Sequence, residues 1–274
     1  MKVIRHVETL NDELSYHKNK TVGFVPTMGS LHLGHFSLIK SAKLKSDLVI
    51  ASIFVNPTQF DNKKDFANYP SNLEKDLKEL ENLNVDLVFC PSFNDLYANE
   101  IPIELSLNGI DQVLEGKMRF GHFEGVVRVL NIFFNLIRPQ LAFFGEKDFQ
   151  QFLVVKELAK QFFPGTKIIS CPTQREKNGL AMSSRNSRLS NNENKVASNI
   201  YKVLSFCKNE FKFSNVKELE ITCLDMLKEF SDPEYFEIRN SQTLSEEIHT
   251  FEKYRAFVAT KIGGVRLIDN LAIN

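Results

Sequence analysis

The chain has 274 residues, 43% hydrophobic and 25% charged, a composition that excludes a disordered polypeptide and fits a folded globular one. Its 34 lysines and arginines balance 34 aspartates and glutamates, so no global basic field draws nucleic acid and any anion site has to be local. The charged opening Met1-Lys2-Val3-Ile4-Arg5-His6 lacks the apolar core of a leader peptide, and the longest apolar stretch, Val126 to Ile137, is broken by Arg128, Asn131 and Asn135. The expectation is a cytoplasmic protein with no membrane span. Cys90, Cys171, Cys207 and Cys223 show no CxxC spacing and read as reduced, buried thiols.

The first strand signal is Thr21–Val25, closed by Pro26, and a helical pattern follows over His35–Ser46. Leu48–Val55 barely alternates, which predicts a strand buried on both faces, as in a parallel sheet covered by helices. Ser71–Asn82 places Leu73, Leu77 and Leu80 on one side of a helix. Then come a strand at Val85–Cys90, a helix at Gly125–Arg138, a strand at Leu141–Phe144, a helix at Phe149–Phe162 and a strand at Lys167–Cys171. This alternation predicts an α/β fold of Rossmann-like, doubly wound type with a parallel sheet. Residues 173–190 are polar and loop-like. Helical stretches at 191–209 and 215–230 precede strands at Tyr235–Ile238, Ala256–Thr260 and Val265–Ile268, the last two joined through Gly263-Gly264. The second part reads as a smaller C-terminal α+β domain with an antiparallel meander, residues 1–174 forming the first domain and 175–274 the second.

Two segments carry the chemistry. Thr27-Met28-Gly29-Ser30-Leu31-His32-Leu33-Gly34-His35 joins the first strand to a helix, so it lies at a strand's carboxyl end and a helix N-terminus, where unpaired amides and the dipole favour phosphate. His32 and His35 are placed to donate to phosphate oxygens as charge builds there. No GxxxxGK[ST] loop is present, and no third ligand near the two histidines argues for zinc. Met182-Ser183-Ser184-Arg185 offers two hydroxyls and a guanidinium on a loop able to close over nucleotide. Gly145-Glu146-Lys147-Asp148 follows another strand, with Lys147 as a point charge and Asp148 as a ribose acceptor or helix cap. Asn56-Pro57-Thr58-Gln59-Phe60 and the pair Gln150-Gln151 bring amides suited to a small hydroxylated acid. Leu114-Glu115-Gly116 with Gly121-His122-Phe123 reads as a cleft-lining loop, with His122 either structural or a second base.

Together with Val85-Asp-Leu-Val-Phe89 and Val265-Arg-Leu-Ile-Asp-Asn270, these stretches resemble, in order and over nearly the whole chain, the pantothenate synthetase (pantoate–β-alanine ligase) family of the HIGH/KMSKS nucleotidylyltransferase superfamily. The resemblance implies an adenylate-forming ligase that activates pantoate with ATP and Mg2+ and passes it to β-alanine. It implies that Met28–His35, Gly145–Asp148, Gln174 and Met182–Arg185 bind ATP, naming Met28, Gly29, Ser30, Leu31, His32, Leu33, Gly34, His35, Gly145, Glu146, Lys147, Asp148, Met182, Ser183, Ser184 and Arg185. His35 is the proton donor it implies, aided by His32, Lys147, Ser183, Ser184 and Arg185. Gln59 and Gln151 hold pantoate, Gln59 also lies near β-alanine, Asp76 falls near the magnesium region, and the subunits pair as a homodimer through the first domain. Closure of loop 173–186 and the C-terminal domain onto His32 and His35 is a further expectation. Thr58, Ser71, Phe120 and Asn178 depart from the usual family residues. The alternatives are another superfamily nucleotidyltransferase acting on a small acid, or a catalytically silent nucleotide-binding subunit.

Overall fold

The computed structural model describes residues 1–61 and 63–274. The chain divides into two compact units, Met1–Glu146 with Gln150–Pro172, and Lys147–Phe149 with Thr173–Asn274. The first unit opens with β1 (Lys2–Ile4), α1 (Val7–Ser15), β2 (Val22–Thr27), α2 (Leu33–Lys45) and β3 (Leu48–Ile53). It continues through α3 (Lys63–Ala67), α4 (Leu73–Asn82), β4 (Leu87–Phe89), α5 (Phe93–Tyr97), α6 (Leu114–Met118) and α7 (His122–Ile137). It closes with β5 (Leu141–Gly145), α8 (Phe149–Phe162) and β6 (Lys167–Cys171). The six strands pair in parallel in the order β1-β4-β3-β2-β5-β6. The strand order reverses between β2 and β5, so the loops leaving these two strands flank the switch point where open α/β sheets bind ligands.

The sheet is built from apolar runs, as the sequence pattern predicts. Leu48, Val49, Ile50 and Ala51 of β3 are all buried, which confirms a strand covered on both faces. Leu38, Ile39 and Ala42 of α2 join Val25, Val49 and Val88 in one core cluster. The apolar run Val126–Ile137 forms most of α7, which is buried on nearly every side, and no helix among the described residues is long and apolar enough to cross a membrane.

Several boundaries shift by a few residues from the sequence reading, and three of the shifts bear on the loops that carry the site. β2 runs on through Pro26 to Thr27; its pairing with β5 involves Gly23 and Phe24, so the proline lies beyond that stretch and its missing N–H breaks no bond there. α2 starts at Leu33, two residues early, because His32 caps it. α7 starts at His122 after Gly121, whose φ of 76° suits glycine. β1 and α1 carry too short or too polar a pattern to stand out.

The second unit holds α9 (Asn191–Ala197), α10 (Asn199–Glu210), α11 (Val216–Lys228), β7 (Asp232–Asn240), β8 (Tyr254–Ile262) and β9 (Val265–Ala272). The three strands form an antiparallel sheet in chain order. Ile200, Leu204, Cys207, Cys223 and Leu227 of the helices pack with Ile238, Tyr254, Ala256 and Leu267 of the sheet. All four cysteines are free and buried. Burial pushes the Cys90 thiol up to about 11 and the Cys171 thiol above its ordinary value, so neither is a ready thiolate.

Candidate active site

In the first unit, the loop leaving β2 is shaped by two left-handed residues in succession, Gly29 at φ 80° and Ser30 at φ 52°. The amides of Ser30 and Leu31 donate to the two carboxylate oxygens of Asp76, at 2.7 and 2.8 Å. Asp76 lies in the first turn of α4 and is 2% exposed. It thus spends a lone pair of each oxygen on the loop. Thr27 Oγ1 accepts from the Gly29 amide and donates to the Ser52 carbonyl, fastening the loop to β3. The positive φ favours glycine at position 29, and a Cβ there would also stand 2.9 Å from Asp76 Oδ2 and press on the carboxylate that holds the loop.

The loop ends in a reciprocal cap on α2. His32 Nδ1 accepts from the Gly34 amide at 3.1 Å, and His35 Nδ1 accepts from the His32 amide at 3.3 Å. The two rings lie 4.1 Å apart between centroids. Because both Nδ1 atoms accept, each neutral ring carries its proton on Nε2. The sequence HxGH therefore builds two imidazole Nε2–H donors at a helix N-terminus, beside the switch point of the sheet.

Gln59 is brought to the same loop. Its Nε2 donates to Met28 Sδ at 3.0 Å, and its Oε1 accepts from Asn56 Nδ2 at 3.2 Å. His122 Nδ1 donates to the Gln59 carbonyl at 2.7 Å, and Arg119 Nη1 donates to His122 Nε2 at 3.0 Å. Both nitrogens of His122 are thus engaged, Nδ1 with the Gln59 carbonyl and Nε2 with Arg119, which favours its structural reading over that of a second base. Arg119 also faces Glu115 at 3.7 Å and Asp61 at 3.3 Å. Asn56 donates on to the Gly125 carbonyl, and α7 approaches so closely that a Cβ on Gly125 would stand 2.3 Å from the Thr58 carbonyl oxygen. Thr58 bonds Tyr97 and Asn56 through its hydroxyl. These supports of Gln59 were not visible as such in the sequence; the paired glycines 121 and 125 around His122 were the nearest signal.

Of the two adjacent glutamines, Gln150 is 4% exposed and bonds Ile110, Val113 and Glu115, so it braces the 110–115 loop. Gln151 is partly exposed. Gly145 ends β5 with open space where a Cβ would stand, and Glu146 accepts from Ser170.

In the second unit, Lys147 Nζ lies 3.4 Å from Asp148 Oδ1, and the Lys147 carbonyl accepts from Asn270 Nδ2 at 2.8 Å. The Gln174 carbonyl accepts from the Met182 amide, and Arg175 pairs with Ala181, so residues 174–182 form a small hairpin. Arg175 grips Asp269 with bonds of 2.5 and 3.0 Å and stacks 4.1 Å over Tyr201. Burial pushes the Asp269 carboxyl up from its ordinary range, and the Arg175 bonds oppose that. Ser183 Oγ accepts from the Arg185 amide and caps the short turn Ser184–Arg188. Asn178 caps the turn at Leu180 with Gly179 at φ 96°. Ser183, Ser184 and Arg185 are all partly exposed. Of the remaining departures, Ser71 is exposed and Phe120 is 95% exposed.

Among the described residues no three His, Cys, Asp or Glu side chains gather to hold a metal ion. Each unit by itself offers donors suited to an anion: the first, imidazole N–H groups and a capped helix start; the second, a lysine, two serine hydroxyls and an arginine.

Known proteins resemble this chain over nearly its whole length. A family model for pantoate–β-alanine ligase matches residues 2–272. A pantothenate synthetase of Christiangramia forsetii is 43% identical over the full length of both chains. One from Francisella tularensis subsp. novicida is 44% identical, covering 92% of this chain and 90% of its own. The crystal structure of pantothenate synthetase from Thermus thermophilus superposes with a TM-score of 0.90 at 35% identity, covering 100% of this chain and 99% of its own. That of the Francisella tularensis pantoate–β-alanine ligase, complexed with beta-gamma ATP and β-alanine, gives 0.82 at 39% identity over 99% and 97% of the chains. The chain belongs to the pantoate–β-alanine ligase family.

Proposed function

We propose that this chain is an ATP-dependent ligase that condenses pantoate with β-alanine through a pantoyl-adenylate intermediate. The observation that carries the proposal is the His32–His35 cap, which fixes two Nε2–H donors at the start of α2. Family membership supplies the identity of the acid and the amine.

In the first step a pantoate carboxylate oxygen attacks the α-phosphorus of ATP. The bond to the bridging oxygen breaks and pyrophosphate leaves with that electron pair. His35 and His32 donate to phosphate oxygens as negative charge builds there, and the dipole of α2 adds to the same field. Lys147 is a point charge at the α-phosphate, and Ser183, Ser184 and Arg185 engage the triphosphate. Met28–Gly34 together with Gly145–Asp148 and the backbone of Gln174 contact the nucleotide. Gln59 and Gln151 hold pantoate, and Gln59 also lies near β-alanine. In the second step the neutral amine of β-alanine attacks the acyl carbon. AMP leaves, and the amide forms with loss of one proton. The protein supplies no nucleophile; it aligns reactants and stabilises developing charge.

Magnesium enters as part of the MgATP substrate. The Asp76 oxygens already accept two loop amides, so its role here is to shape the Gly29–Leu31 loop, whatever it adds toward the metal. A cytoplasmic homodimer paired through the first unit completes the proposal, and sedimentation velocity reads the pairing.

Incubation with ATP, β-alanine and pantoate labelled with ¹⁸O in its carboxylate tests the chemistry. One labelled oxygen transferred to AMP, with pantothenate as the organic product, is expected. Label in pyrophosphate, or a stable nucleotidylated acid as the end product, would overturn it.

A further inference from the structure

The terminal strand β9 carries the motif Val265-Arg-Leu-Ile-Asp-Asn270, which the proposed chemistry leaves unused. Asp269 and Asn270 are consecutive, and both are buried, at 4% and 3% exposure. Neighbours in a strand point to opposite faces, so the two residues reach different partners. Asp269 takes the forked guanidinium of Arg175, and Arg175 also donates to the Gly179 carbonyl inside the 174–182 hairpin. Asn270 donates from Nδ2 to the Lys147 carbonyl at 2.8 Å, while its Oδ1 accepts from Arg255 Nη1. Arg255 in turn lies 3.9 Å over the ring of Phe149, and Phe257 lies 6.1 Å from that ring. The Asn270 amide closes the set by donating to Asp269 Oδ1 at 2.8 Å.

These contacts are why the three residues Lys147–Phe149 belong to the second unit although the chain on both sides of them belongs to the first. Buried polar groups of this kind are poor sources of net stability, since apolar packing of equal volume does as well. What they supply is position. One dipeptide ties the backbone that carries Lys147 and the hairpin that leads into Ser183–Arg185 to the same strand.

We propose that Asn270 and Asp269 are positioning residues for the adenylation step: Asn270 sets Lys147 through its carbonyl, and Asp269 sets the Met182–Arg185 loop through Arg175. The proposal rests on the ATP-activating reading above.

The test is pantoate-dependent ATP–pyrophosphate exchange in the full chain. Asn270→Asp is nearly isosteric; it keeps an acceptor for Arg255 and loses the donor to Lys147. It is expected to lower the exchange kcat about 10-fold or more, with the pantoate KM within about twofold of the parent. The decisive readout is a double-mutant cycle with Lys147→Met, whose slow exchange is followed with labelled pyrophosphate over hours. If Asn270 acts through Lys147, Asn270→Asp changes the rate by less than about threefold in the Lys147→Met background. The same factor lost in both backgrounds means a general structural role and overturns the proposal, as does parental exchange in Asn270→Asp. Asp269→Asn against Arg185→Ala reads the other arm by the same rule. Absence of exchange in the parent would instead overturn the ATP-activating reading itself, so the two failures are distinguishable. Asn270→Ser serves the same cycle if Asn270→Asp does not fold.

Discussion

Gly125 in α7 offers a sharp test of how Gln59 is held. A methyl at this position would stand 2.3 Å from the Thr58 carbonyl oxygen, 2.5 Å from its carbon and 2.6 Å from the Gln59 nitrogen. These are backbone atoms and cannot rotate away. Restoring ordinary contact needs α7 and the 57–59 turn to part by about 1 Å. Two effects of alanine oppose one another. Its better helix propensity stabilises by about 1 kcal/mol, while overpacking against an unyielding neighbour costs about 1–3 kcal/mol. The clash with three backbone atoms places the cost at the upper end, so Gly125→Ala is expected to be less stable than the parent. Melting should fall by roughly 2–4 °C for each kcal/mol lost. The same displacement loosens the Asn56 bond to the Gly125 carbonyl and moves Gln59. The pantoate KM should therefore rise about 10-fold or more, with the ATP KM nearly unchanged. Differential scanning calorimetry and initial rates read both effects. An equal or higher Tm with an unchanged pantoate KM would refute the packing argument.

Three other outcomes follow from the site. His35→Ala should lower kcat by about 10²-fold or more through loss of a donor that acts on developing charge; turnover within threefold of the parent would remove His35 from the mechanism. Asp76→Asn replaces one acceptor of the loop amides by an N–H2 group, and loss of a bond to a charged group, about 1.5–3 kcal/mol, should raise the ATP KM about 10-fold or more. An unaltered ATP KM would detach Asp76 from the loop's function. The Arg128 guanidinium, bonded to Glu100 at 2.6 and 2.9 Å, holds the Glu100 carboxyl below its ordinary range against the pull of burial. A depressed folded pKa contributes stability that is present above the unfolded value, about 4.3, and lost as pH falls through the folded one. Glu100→Gln should thus cost at most about 1 kcal/mol at pH 7, with the gap to the parent closing below about pH 4 in urea titrations; a gap constant down to pH 3 would contradict it.

Five of the six parallel strands were legible as apolar runs such as Leu48–Ile53, while the short β1 was not, and the meander was legible because its strands are bracketed by Gly263-Gly264 and polar turns. The HxGH segment was legible as a helix start at a strand end. Its detail was not, since nothing in a histidine pair says that each ring accepts a backbone amide through Nδ1. The supports of the site were hidden by distance along the chain. Asp76 lies 46 residues from Ser30, His122 lies 63 from Gln59, and Asn270 lies 123 from Lys147. Periodicity reports local pattern, and such pairings form only when the sheet order is set. The same limit hid the attachment of Lys147–Phe149 to the second unit, because a three-residue segment between a strand and a helix has no pattern of its own. Gln150 and Gln151 were indistinguishable by type; burial and the bonds of Gln150 to residues 110–115 separate the brace from its neighbour.

The central claim is that pantoate is activated on its carboxylate before β-alanine takes part. The direct measurement is exchange of labelled pyrophosphate into ATP with pantoate present and β-alanine absent. The account predicts rapid exchange that requires pantoate and falls about 10²-fold or more in His35→Ala. Exchange that proceeds without pantoate, or that appears only when β-alanine is added, would contradict it.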